Sequence, residues 1–280
     1  MSQQQAQKLA FTLLWGAASL TVLILTVILG YILVQGLPQV SWEFLTEEPT
    51  EMGRSGGIFS SIVGTLYFVA ASLILAAPLG IGAGIYLAEY THDGWFTSLV
   101  RFGIDALAAV PSIVFGLFGY ALFVVALKPV THGWSILSGA FTAACMVLPT
   151  LIRTSEEALR AVPQEYREGS LALGATRWQT VVRVVLPAAA PGILTGVILS
   201  IGRVVGETAA LLLTLGGSLR LPRSIFEPAR TMAIHLYLVA MEVGAMDMAF
   251  GTAAVLVITV LGVNLLTTWL TRRHIMRLLR

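Results

Sequence analysis

Arg203 and Glu207 interrupt an otherwise charge-free run, Pro191–Gly216. A guanidinium keeps its proton at any physiological pH. It therefore serves poorly in acid–base catalysis and well as a planar fork of N–H donors for an anion or a carboxylate. Glu207 stands four residues on, which on a continuous helix is one turn further along the same face. Two readings follow. The pair either braces a helix bundle internally or forms a charged wall beside a solute path, with Glu207 holding Arg203 toward an anion. A charge at the centre of a membrane helix costs about 2.5–3.5 kcal/mol to insert and commonly marks a cavity or pathway, so the second reading is preferred. Thr208 beside Glu207, Ser112 behind Pro111, and Arg220 just past the same run would add hydroxyl and cationic donors to such a path.

A second polar constellation lies in Glu168–Pro187, EGSLALGATRWQTVVRVVLP, between long apolar runs. Glu168 is followed six residues later by Gly174, and the segment closes on Leu186-Pro187. Thr154-Ser155-Glu156-Glu157 fits a capping box that starts a short helix ended by Pro163. A second short helix, about Gln164–Leu173, stops at Gly174, a natural helix-ending residue. Thr176-Arg177-Trp178-Gln179 is a further capping box opening a third piece, Arg177–Leu186, which meets Pro187. The segment thus predicts a compact helix–turn–helix outside the membrane, with Glu168 available to neighbouring amides or to a partner's cation.

Other chemistries find no residues. The two lysines, Lys8 and Lys128, do not stand in a G-x-x-x-x-G-K-[ST] pattern, so the phosphate-cradling P-loop is absent. There is no H-E-x-x-H, no zinc-spaced Cys/His cluster and no G-x-S-x-G elbow. The single cysteine, Cys145, excludes an intrachain disulfide. No basic patch interleaved with aromatics points to nucleic acid.

The elements that must position these residues are membrane helices. The chain has 280 residues, 56% hydrophobic and 11% charged, with a mean hydropathy of +0.84; soluble domains carry about 25% charged residues. Charge-free runs long enough to cross a bilayer occur at Phe11–Val34, Gly57–Leu87, Ala106–Leu127, Gly133–Ile152 and Met248–Thr271. With Pro191–Gly216 they predict six transmembrane helices. The first is too long for the apolar core of a cleaved signal peptide and reads as a retained helix. Placing the N-terminus inside puts 11 of the 17 basic residues in inner segments (Lys8, Arg101, Arg153, Arg160, Arg167, Arg177, Arg183, Arg272, Arg273, Arg277, Arg280). Five fall in outer segments (Arg54, Lys128, Arg220, Arg223, Arg230). Positive-inside bias therefore places both termini in the cytoplasm. Trp15, Trp42, Trp95 and Trp134 fall near interfaces as aromatic anchors. His235, on the long outer link 218–247, reads as structural.

The spacing of Glu168, Gly174, Val184 and Leu186-Pro187 resembles the cytoplasmic coupling loop of ABC importer permeases, a Glu-Ala-Ala, Gly, Ile-x-Leu-Pro pattern in which Gly169 and Ser170 replace the alanines here. Arg203-Val-Val-Gly-Glu-Thr-Ala and Pro111-Ser-Ile-Val-Phe-Gly-Leu are similar to segments of phosphate-specific ABC permeases, and Thr231–Tyr237 favours the PstA type over its PstC-type companion. The resemblance implies an all-α polytopic fold of the type I ABC importer permease class, divided into an added N-terminal helix with outer loop (1–56) and a permease core (57–280) carrying a coupling loop at about 153–187. It implies the bacterial inner membrane as location. It also implies a PstC-like second permease, two ATP-binding subunits, an extracytoplasmic phosphate-binding protein and inorganic phosphate as partners, besides the lipid bilayer. ATP and magnesium would be bound by those partners, with no cofactor and no catalytic residue in this chain. In that family the short cytoplasmic helix fits a groove on the ATPase, a role the match assigns to Glu168, Gly174, Leu186 and Pro187. The rival readings are a permease for phosphonate, sulfate or molybdate, and a membrane channel or scaffold without ATP coupling.

Overall fold

Backbone amides in hydrocarbon have no water to bond, so apolar runs must close their hydrogen bonds internally as helices. The computed structural model describes residues 3–92 and 94–278 and follows that rule; Arg280, counted above among the inner cations, lies outside them. Among the described residues five helices are long and apolar enough to span a bilayer: α1 (Gln3–Gly36), α3 (Phe59–Tyr90), α7 (Ile136–Arg160), α9 (Arg177–Val205) and α12 (Met246–Leu278). A bent pair, α4 (Trp95–Ala108) and α5 (Ser112–Ala126), supplies the sixth. On the outer side α1 is followed by a short α2 (Trp42–Thr46) and a two-stranded hairpin, β1 (Pro49–Thr50) with β2 (Ser55–Gly56). Shorter helices are α6 (Lys128–Thr131), cytoplasmic α8 (Gln164–Ala172), α10 (Ala209–Thr214) and outer α11 (Met232–Val243).

The bundle is built around α7. Lipid tails provide no hydrophobic drive between helices, so association depends on small residues that let backbones approach. Gly80 and Gly84 of α3 supply one such pair: a Cβ added at Gly80 would sit 2.5 Å from Leu151 Cβ, and one at Gly84 2.6 Å from Ser155 Cβ. Gly192 and Gly196 of α9 supply another, pressed against Ala158 and Thr154 of the same helix. Both pairs keep G-x-x-x-G spacing, which puts the two glycines of each pair on one helix face. Phe68, Ile136, Met146, Val147, Leu151, Leu211 and Leu215 fill the buried core around α7. Helix α1 packs along α12, where Tyr31 meets Phe250 edge to face with ring centres 5.8 Å apart.

Three expected boundaries are corrected. The run Ala106–Leu127 is not one span: α4 and α5 meet at 98°. Pro111 (φ −59°, ψ 141°) leaves the helical region entirely instead of kinking a continuous helix and stands as the cap residue before Ser112; its missing amide and its crowding of the preceding residue favour a helix boundary there. No helix starts at Thr154; α7 runs unbroken to Arg160, and the Thr154 hydroxyl donates back to the Thr150 carbonyl (2.8 Å) instead of capping. The fifth span is Arg177–Val205, not Pro191–Gly216. It passes through Pro187 because a wider π-helical stretch, Val181–Val185, precedes it and absorbs the missing donor and the ring.

Candidate functional site

Helix α9 stops at Val205, capped by Gly206, and the chain resumes as α10 at Ala209. Gly206 ends the helix one residue before Glu207, so Arg203 and Glu207 do not share a helix face. The expected ion pair is absent; among the described residues neither side chain pairs with the other. Glu207 Oε1 instead accepts the amide of Ala210 at 3.1 Å, placing a carboxylate at the start of α10. Arg203 sits in the last turn of α9. Each charge thus complements the helix end it occupies, anion at the amide end and cation at the carbonyl end.

Arg203 is exposed in the single chain, on a stripe with Thr195 and Leu199. The opposite stripe, Ala189, Ile193, Gly196, Ser200 and Val204, is buried toward the bundle. The backbone around Arg203 is open, with nothing packed within 4 Å where a Cβ at Gly202 would stand. Among the described residues no side chain or carbonyl bonds the guanidinium, so its donors are to spare.

Helix α5 also begins at a break, and it packs on α10: a Cβ at Gly116 would lie 2.8 Å from Ala210 Cα. Ser112 is four residues before Gly116 and Thr208 two before Ala210, so both breaks lie within about one helical turn of this contact. Ser112 and Thr208 are partly exposed at the first residue of α5 and the cap position of α10, and Thr208 makes no capping bond. Arg220 stands apart. It lines an outer cleft of 760 Å³ with Arg223, Glu48 and Glu227.

On the cytoplasmic side α8 ends in a Schellman turn: Gly174 N–H donates to Leu171 O (3.0 Å) and Ala175 N–H to Ser170 O (3.3 Å), with Gly174 at φ +86°. The capping box at Thr176 and Gln179 forms as expected, with bonds of 3.2 and 2.9 Å. Ser170 is more than a small filler, since its hydroxyl meets that of Thr180 at 2.9 Å and ties α8 to α9. Glu168 is exposed, as are Tyr166, Trp178 (64%) and Leu173 (91%). Leu186 and Pro187 lie within α9, past the turn.

Sequence reasoning missed two features. Helix α4 is latched to the cytoplasmic end of α7 by Arg101–Glu156 (2.9 Å) and Asp105–Arg153 (2.7 Å); the i,i+4 spacing of 101 and 105 carries the only trace of it. On the outer side His235 is fully buried under Gly53, beside buried Arg230. Burial first, and then the nearby Arg230 cation, pull the imidazole pKa down to about 4.

Residues 80–280 match the family described as binding-protein-dependent transport system inner membrane component. The chain belongs to that family. It is a permease subunit of an ABC importer, held in the inner membrane. It is 37% identical to a probable ABC transporter permease protein, YqgI, of Bacillus subtilis, over 96% of each chain. It is 34% identical to the phosphate transport system permease protein PstA of Haemophilus influenzae, over 86% of this chain and 84% of the relative. A bacterial alginate ABC transporter, solved in complex with an alginate pentasaccharide-bound periplasmic protein, matches with a TM-score of 0.69 and 14% identity, over 96% of this permease and 97% of that chain. That likeness establishes the fold.

Proposed function

We propose that this permease is the PstA-like subunit of a phosphate importer and forms half of the phosphate path. The observation that carries the reading is Arg203: an always-cationic fork at the end of α9, unpaired with Glu207 and exposed on the face turned away from its own bundle. Ser112 and Thr208 stand near the break between α9 and α10 and offer hydroxyl donors to an oxyanion. The names of relatives such as PstA of Haemophilus influenzae support phosphate as the solute. Arg220 and Arg223 in the outer cleft would draw an anion toward the mouth.

On this reading a PstC-like permease completes the path, and a phosphate-binding protein delivers solute from outside. Two ATP-binding subunits engage α8 and supply ATP and magnesium chemistry that this chain lacks. The exposed Tyr166, Leu173 and Trp178 support that docking role, because apolar side chains grouped on a water-facing surface mark a contact site. Alternating access then opens the path to one side at a time.

Uptake of labelled phosphate against sulfate by the complex in proteoliposomes tests the assignment. Phosphate is the expected solute; transport of sulfate alone would move the reading to another oxyanion. Arg203→Gln keeps bulk and loses charge. It is expected to cut uptake by about ten- to a hundredfold, the worth of hydrogen bonds to a charged group, with assembly intact. Unimpaired uptake would remove Arg203 from the path.

A further inference from the structure

The face of α8 opposite its exposed side chains holds a largely buried ion pair that joins three elements. Arg167 Nη2 meets Glu89 Oε1 at 2.6 Å, and its Nε donates to both Glu89 oxygens at 3.2 and 3.3 Å. The same guanidinium donates from Nη1 to Val162 O and from Nη2 to Leu159 O, both at 2.8 Å. Glu89 belongs to the π-helical last turn of α3, and Leu159 to the last turn of α7. The side chains are 15% and 9% exposed, so this is no solvated surface pair.

Three physical consequences follow. A two-pronged guanidinium–carboxylate contact fixes orientation as well as distance, unlike a single point contact. A cation bonded to terminal carbonyls complements the end of α7. Removing one partner of such a pair strands a charge away from water. Arg167 and Glu168 are adjacent, yet Glu168 is exposed while Arg167 reaches inward. Helix α8 therefore has an outer face free for a partner and an inner face riveted to α3 and α7.

We infer that Arg167 and Glu89 form the positioning pair that carries a displacement of α8 into the membrane bundle. Neither residue touches solute. The glycine contacts pass the displacement on, since Gly80 and Gly84 lock α3 to α7, while Gly192 and Gly196 lock α9. The inference rests on α8 as the ATPase-docking helix.

The test uses the full transporter in proteoliposomes, with Glu89→Ala and Glu89→Gln. Solute accumulated per ATP hydrolysed is measured beside co-purification of the ATPase subunits. Both variants are expected to assemble and hydrolyse ATP. Glu89→Ala is expected to lose about tenfold in solute per ATP, within the ordinary range of coupling between sites. Glu89→Gln, which still accepts a hydrogen bond from Arg167, falls between it and the native protein. An unchanged ratio in Glu89→Ala overturns the inference, whether or not the rates fall together. Failure of both variants to assemble also overturns it, leaving a structural brace. A native complex that carries sulfate instead of phosphate sinks the solute assignment alone, because the ratio is then read with sulfate. A native chain that binds no ATPase sinks the docking reading and the pair's role with it.

Discussion

Two cations in this permease show how differently a charge is handled at different places in the chain. Arg203 is exposed at a helix end with no carboxylate on it, whereas Arg230 is buried and gives its Nε to Gly217 O at 2.9 Å. Burial lowers the pKa of Arg230, and Glu242 pushes the other way. His235, next to it in space, is held neutral with a pKa of about 4 against an ordinary 6.5. The sign of the pH effect follows. Between those values an opened state binds a proton that the packed state refuses, so local stability is full above about pH 6.5 and falls as pH drops toward 4. The whole window amounts to about 3 kcal/mol. Hydrogen exchange across 232–243 is expected to lose protection over that range, and His235→Leu is expected to flatten the pH dependence. An equally steep loss in the variant would assign the effect to another group.

At the level of elements, helix contacts and turns each rest on a glycine for a different reason. In α3 the reason is space. Gly84→Val would drive a side chain into Ser155 and the Ile152 carbonyl, at a cost of about 1–3 kcal/mol for overpacking. Gly82 has nothing within 4 Å of the position a Cβ would take, so Gly82→Ala is expected to be neutral or slightly stabilising. Thermal unfolding in detergent separates the two variants. At Gly174 the reason is backbone conformation, φ +86°, with open space around it. Gly174→Asp takes up the left-handed backbone at only a modest cost, since Asp tolerates it better than most residues, and sets a charge between exposed Leu173 and Trp178. It is expected to insert normally and to lose co-purification with the ATPase subunits; normal recovery of those subunits would refute a docking role for this turn.

For the whole molecule, the helical membrane fold was legible because apolar run length responds to one strong constraint, backbone satisfaction in hydrocarbon. The turn at Gly174 and the cap at Thr176 were legible because both are local. Proline was the unreliable sign. Pro187 and Pro191 lie within α9, Pro149 lies inside α7, and Pro111 makes a true break; which of these happens depends on neighbouring turns and packing that no short window contains. The break at Gly206 was missed for the same reason, and with it the proper relation of Arg203 to Glu207. Arg167 and Glu89 lie 78 residues apart, beyond any spacing rule. The unbroken length of α9 has a mechanical consequence. Its 29 residues make a rod of roughly 43 Å, longer than the hydrocarbon is thick, about 30 Å. Were its close contact with α7 at Gly192 and Gly196 to serve as a fulcrum, the pivot would lie about 26 Å from the Arg177 end and about 14 Å from Arg203. A sideways swing of about 4 Å below that pivot would carry the guanidinium about 2 Å the opposite way, far enough to make or release a hydrogen bond.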